Sequence, residues 1–185
     1  MDTSSIYSAL KKNKTTKEKF EDVYAADTLG LRKPCNKTKF LIVNLDPSHK
    51  SGSHWVAMMI RRNKPCEYFD SYGKPPPYPV FETVLKNNYF HNTKQLQHSL
   101  TTTCGQWTML YIWDRCRGTT FPKFLSKFSK RDYLLNDHIV NEAVKKLFNT
   151  SHKVIDKNFL CQQICISLKR SKCIHLPHKK KCKIK

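Results

Sequence analysis

Four polar side chains have the types, order and setting for nucleophilic chemistry at a carbonyl: His54, Asp70, Gln97 and Cys104. Cys104 stands in Thr103-Cys104-Gly105-Gln106-Trp107, ahead of an apolar run at 107–113 that reads as a helix buried in the core. A thiol opening such a helix faces the positive end of its dipole, which favours thiolate over thiol. That setting matters because a free cysteine, with a pKa of about 8.5, is only slightly ionised at neutral pH. Gly105 permits close approach of a substrate, and the unpaired N–H groups of the first turn are available to an oxyanion. His54, in Gly52-Ser53-His54-Trp55, is the candidate base. Trp55 can cover one imidazole face, and Trp55 with Gly105 forms the expected substrate-contacting pair. Asp70, in Phe69-Asp70-Ser71-Tyr72-Gly73, can accept from one ring nitrogen and fix the tautomer. Gln97, seven residues before Cys104, offers an amide N–H as a further oxyanion donor, with Gln95 and Gln106 as rivals. Each residue also has an ordinary reading. Asp-Ser-Tyr-Gly is good turn chemistry by itself, and a buried structural thiol is the commoner fate of cysteine.

These side chains need elements that bring positions 54 and 104 together. Residues 38–46 form a continuous apolar run, as expected of a buried strand. Residues 53–62 and 66–73 are strand-like and joined by the polar turn Arg61-Arg62-Asn63-Lys64-Pro65, so they read as an antiparallel hairpin. Such a hairpin brings His54 and Asp70 to one end of the sheet. The prolines of 74–79 stop the second strand. Helices are expected over 4–13, 80–88, 104–118, 121–130 and 133–149, and a short helix or turn over FEDVYAADTL (20–29). Residues 95–100 read as extended. Leu135, Ile139, Val140, Val144 and Leu147 lie at helical spacing in the last of the helices, and Gly118 is a plausible stop. Helices, then strands, then helices again make the fold class α+β, with a central, mostly antiparallel sheet flanked by helices.

The chain has 185 residues, enough for one domain with a proper core, and 39% hydrophobic and 11% aromatic residues set it apart from charged disordered chains. The division expected is 1–150 as the folded domain and 151–185 as a basic, Cys-rich helix or tail. With 34 Lys+Arg against 14 Asp+Glu, the net charge is +20. A nucleic-acid partner, as non-specific DNA, suits this balance, since each neutralised phosphate releases a counterion. No apolar opening segment or membrane-length run is seen, so an intracellular protein with reduced thiols, no membrane partner and a monomeric state is expected. Cys161, Cys165, Cys173, His175, His178 and Cys182 include enough ligand types for Zn²⁺, but their spacing fits no regular module, and no metal site is expected.

His54-Trp55, then Asp70-Ser71-Tyr72-Gly73, then Gln97, then Cys104-Gly105 resembles the adenovirus protease family over roughly residues 38–118. It is also similar to the ubiquitin-like-protein proteases of the same clan. Asp70 stands where the adenoviral enzymes usually have Glu and the ubiquitin-like-protein proteases have Asp. Phe-Asp-Ser-Tyr-Gly followed by prolines, and Cys-Gly-Gln-Trp, look most like proteases of Polinton/Maverick elements and adintoviruses. The resemblance implies a papain-like cysteine endopeptidase: Cys104 attacks, His54 is base and then acid, Asp70 orients His54, and Gln97 with the Cys104 N–H binds the oxyanion. It implies capsid-precursor substrates cut at glycine-containing sites, virion maturation in a host nucleus or virion, and no required cofactor, with DNA as an activator. The rival readings are a protease removing ubiquitin-like modifiers and a basic nucleic-acid-binding protein without enzymatic activity.

Overall fold

The computed structural model describes residues 2–148. Expectations for the segment 151–185, including its helix and zinc-type residues, lie outside the described residues.

The hairpin forms as its sequence requires. Strand β3 (Trp55–Ile60) pairs antiparallel with β4 (Cys66–Phe69), and β3 also pairs antiparallel with β2 (Lys39–Asn44). The apolar run of β2 is buried throughout, from Phe40 to Val43, as a strand covered on both faces must be. Two further strands complete a five-stranded sheet in sequential order. Strand β1 (Phe20–Ala25) lies parallel to β2, and β5 (Tyr89–His91) lies parallel to β4. The sheet is therefore antiparallel in its middle and parallel at both edges. Residues 20–29, expected to be a short helix or turn, instead supply β1 and a single 3₁₀ turn at Leu29–Leu31. Tertiary pairing decides the matter: Phe20 is fully buried opposite Phe40, and that contact outweighs weak local preference. The extended segment expected at 95–100 is not a strand; the edge strand lies earlier, at 89–91.

Helices cover the sheet. α1 (Thr3–Lys12) is capped by Asp2, whose carboxylate accepts from the Ser5 N–H at 2.8 Å. α2 (Pro79–Val84) begins with proline at its first turn, where the missing N–H costs nothing. Against it, Phe81 and Leu85 join Val56, Met58, Ile60 and Tyr68 in one buried cluster. α3 (Cys104–Cys116) and α4 (Phe121–Leu125) build a second, aromatic cluster with Phe69 of β4 and Phe128, and α5 (Tyr133–Phe148) follows. Phe69 stacks on Tyr111 with ring centroids 4.8 Å apart, and Phe124 meets Phe69 edge-on at 5.4 Å. Trp107 packs on Phe128 at 4.5 Å. Truncating one such fully buried ring to alanine costs about 3–5 kcal/mol, so α3 is held firmly in depth and direction. Gly118, with φ at +89°, ends the turn after α3 as its sequence suggested. Among the described residues, no helix is long and apolar enough to cross a membrane.

Candidate active site

The register of the hairpin builds the base and its carboxylate. Ala57 faces Phe69, Met58 faces Tyr68 and Met59 faces Glu67. Carried past the last paired residues, that register sets His54 across from Tyr72 and diagonal to Asp70. The side chains meet accordingly. His54 Nε2 lies 2.8 Å from Asp70 Oδ1, and the Tyr72 ring packs on the imidazole with centroids 4.8 Å apart. The ring covering the imidazole is thus Tyr72, whereas the sequence suggested Trp55; the pleat turns adjacent side chains to opposite faces.

Local features fix both ends of the pair. The His54 carbonyl accepts from the Leu45 N–H at 2.9 Å. Gly52, with φ at +92°, lies so close to Asn44 that a Cβ would meet its Nδ2 at 2.4 Å, so only glycine delivers the chain to His54 along this path. Asp70 is clamped by Asn92, which accepts from the Asp70 N–H at 3.1 Å and donates to its carbonyl at 2.5 Å. The Tyr72 N–H donates to Asp70 Oδ1 at 2.8 Å, which orients the carboxylate toward His54. Asp70 is only 1% exposed.

Cys104 opens α3 and is buried. Thr103, at the cap position, is a residue type that usually closes a helix start, yet its hydroxyl makes no cap bond. It donates instead to Asp137 Oδ1 at 2.8 Å. The first turn of α3 is therefore left without a side-chain cap, and its positive end faces the sulfur. Burial pushes the Cys104 thiol up; the His54 hydrogen bond and the N–H groups of Trp55 and Gly105 outweigh it, and the net shift is downward. Burial likewise pushes His54 down, but the hydrogen bonds to Asp70 and Cys104 prevail and raise it to about 9. His54 Nδ1 is buried, and is the ring nitrogen left on the side of the thiol once Nε2 is bound to Asp70. A thiol shifted down beside an imidazole shifted up favours a thiolate–imidazolium pair over the neutral pair.

This chain is similar to viral cysteine proteases. It is 30% identical over 122 residues to the "SUMO-1 cysteine protease" of African swine fever virus from a Kenyan pig isolate, a match covering 58% of this chain and 44% of the relative. The same identity and coverage hold for the "cysteine protease" of a Malawian tick isolate of that virus. The match thus covers less than half the length of these curated relatives. A crystal structure of the protease of the same virus overlays on 82% of this chain and 54% of that one, with 24% identity and a TM-score of 0.40. No family model matches the chain.

Of the six residues singled out from sequence, His54, Asp70 and Cys104 come together directly, and Trp55 and Gly105 present their backbone N–H groups to the sulfur. Gln97 is completely buried beside them. Its Oε1 accepts from the Ser71 hydroxyl at 2.7 Å, and its Nε2 donates to the Thr101 carbonyl at 2.9 Å and to the Tyr72 hydroxyl at 3.2 Å. Of its rivals, Gln95 donates to the Gln97 carbonyl at 2.8 Å, and Gln106 has a buried Oε1 without a partner. His98 sits half-buried in the loop before α3, its N–H bonded to Asp137 at 3.0 Å.

Sequence reasoning missed Asp137 and Asn92. Asp137 accepts four bonds: from the His98 N–H, the Thr101 hydroxyl, the Thr103 hydroxyl and Trp107 Nε1, at 2.7–3.0 Å. The neighbouring Asn136 donates to the carbonyls of Leu96 and Ser129 at 3.0 and 2.9 Å. The available signal was a polar pair, Asn136-Asp137, among apolar positions of helical spacing, a pattern that by itself reads as the solvent face. Asn92 carried no signal, because its partner is main chain.

Proposed function

We propose that this chain is a cysteine peptidase with Cys104 as nucleophile, His54 as base and acid, and Asp70 as the group that orients His54. The observation that carries the reading is the line of contacts from the Asp70 carboxylate through the His54 ring to a thiol held at an uncapped helix start. In the first step the Cys104 sulfur bonds to the carbonyl carbon, and the carbonyl π pair moves to oxygen. The Cys104 N–H, at the open start of α3, binds that oxyanion, with Gln97 behind it as the second polar support. Collapse expels the amine, which takes its proton from His54, and leaves a thioester. Water then attacks with His54 as base and releases the acid.

The substrate class this reading favours is a ubiquitin-like modifier joined to another protein. Its support is the name of the curated relative, which carries SUMO-1, together with Asp rather than Glu at position 70. The resemblance to adenoviral enzymes in the Gln97–Cys104 spacing favours capsid precursors, and is the second reading. The charge of +20 supports an activating contact with DNA in either case.

The test offers a C-terminal SUMO-type fusion and a Gly-Gly capsid-type peptide, each with and without DNA. Cleavage of the fusion in preference to the peptide, abolished in Cys104→Ala, is the expected result. Preference for the peptide transfers the assignment to the second reading. No cleavage of either, with equally slow alkylation of Cys35, Cys66, Cys104 and Cys116 at mildly acidic pH, leaves a basic binding protein instead.

A further inference from the structure

Gln97 raises a question that its own contacts answer. A carboxamide has two donor protons, and here both are directed at protein acceptors, the Thr101 carbonyl at 2.9 Å and the Tyr72 hydroxyl at 3.2 Å. The Ser71 hydroxyl occupies its oxygen, and the side chain has no exposed surface. Gln97 is thus built in rather than left open to a ligand. Tyr72 differs at the same spot. It is half-buried, its ring lies on His54, and its hydroxyl accepts from Gln97 while no described residue accepts its own proton. The Tyr72 hydroxyl also feels the sulfur: burial raises its pKa first, and the negative charge of Cys104 raises it next, ahead of Asp137 and Asp70.

We propose that the Tyr72 hydroxyl, held from behind by Gln97, is the side-chain donor to the oxyanion formed when Cys104 attacks a substrate carbonyl. The assignment rests on the peptidase reading given above. During attack the S–C bond forms and the π pair passes to oxygen. Tyr72 gives that oxygen a hydrogen bond and keeps its proton throughout, so the proton balance of the thiol, His54 and the amine is unaltered. Gln97 acts through Tyr72: by donating to the phenol oxygen it polarises the O–H and sets its direction. The hydroxyl and the Cys104 N–H then approach the oxyanion as two donors from two different elements, the turn after β4 and the start of α3.

The experiment compares two reactions of the same sulfur. Peptide cleavage passes through an oxyanion; alkylation by iodoacetamide displaces iodide and does not. Tyr72→Phe keeps the ring on His54 and removes only the hydroxyl. The expected result is a fall in kcat of roughly 10²–10³-fold, with little change in KM. The alkylation rate of Cys104 and its pH profile stay as in the wild type. Inhibition by a peptide aldehyde, whose adduct places oxygen at the same site, weakens by a comparable factor. Gln97→Leu loses activity as well, and the double variant is no worse than Tyr72→Phe alone, as expected of residues acting through one hydrogen bond. Wild-type kcat in Tyr72→Phe overturns the assignment. A parallel loss of alkylation also overturns it, because Tyr72 would then be acting by positioning His54. Wild-type protein that cleaves nothing, while Cys104 alkylates no faster than Cys35, overturns the peptidase reading and this one with it.

Discussion

Two buried carboxylates flank Cys104, one supplied by the sheet and one by α5, and their partners differ in kind. Asp70 faces an imidazole that can carry a proton and a charge. Asp137, 3% exposed, is filled by two hydroxyls, an indole N–H and a main-chain N–H, all of them neutral. A carboxylate bonded to such donors is a fixed anchor, whereas one bonded to a histidine shifts the balance between thiol and thiolate. The difference separates two tasks that a nucleophile needs at once: the sheet side sets its proton affinity, and the helix side sets its place. Glu67, three residues before Asp70, shows the other way to bury a carboxylate, with Arg115 at 2.6 Å and the Tyr111 hydroxyl at 2.8 Å.

The comparison breaks most visibly at Asp70. Asp70→Ala is expected to lower kcat/KM by roughly 10³–10⁴-fold, measured with whichever substrate the wild type cleaves, while the protein stays folded. If activity survives and the fold fails, the two carboxylates have been assigned the wrong way round. The pH profile sharpens the same point. The reactive pair exists above the lowered pKa of Cys104 and below that of His54, about 9. Alkylation of Cys104 should therefore begin to rise below the pH at which an ordinary thiol responds. The alkaline limb of kcat/KM should fall near pH 9, and should move to lower pH in Asp70→Ala, because the Asp70 hydrogen bond is what lifts His54 against its burial. Asp137→Ala should show the reverse pattern. It removes the acceptor of the Thr103 hydroxyl, the Trp107 indole and the His98 N–H, while the Thr101 hydroxyl keeps the His98 carbonyl at 2.9 Å; the cost is about 3 kcal/mol, and each kcal/mol lowers Tm by roughly 2–4 °C in a domain of this size. Thermal denaturation checks it, and a Tm equal to wild type would remove Asp137 from the scaffold. The smallest effect belongs to Thr103→Val, which withdraws one of the four donors and should cost about 1 kcal/mol by the same measurement.

What could be read in advance follows from how local each signal is. The hairpin at 55–69 was legible because alternation, a polar turn and a proline stop lie within one short stretch, and α3 because its apolar residues surround the whole helix. His54, Asp70 and Cys104 were legible as an ordered set; the hairpin register required the first two to meet, and the resemblance implied the third. β1 and β5 were not, since an edge strand of three to six residues takes its identity from the neighbour it pairs with. Tyr72 was visible only as part of a turn motif; that its ring would lie on His54 depends on the register three steps beyond the last paired residues. Asn92 and Asp137 escaped notice because their partners are main-chain groups and hydroxyls far away in sequence, and no spacing rule records such bonds.

The bond between Thr103 and Asp137 also has a consequence in time. Translation delivers the sulfur 33 positions ahead of the carboxylate that draws the Thr103 hydroxyl off the helix start. Without α5 in place, the Thr103 hydroxyl and the Trp107 indole both lack the acceptor that Asp137 gives them. The start of α3 is thus finished by a residue 34 positions further on, and the last helix of the described fold completes the setting of a sulfur that the chain laid down long before it.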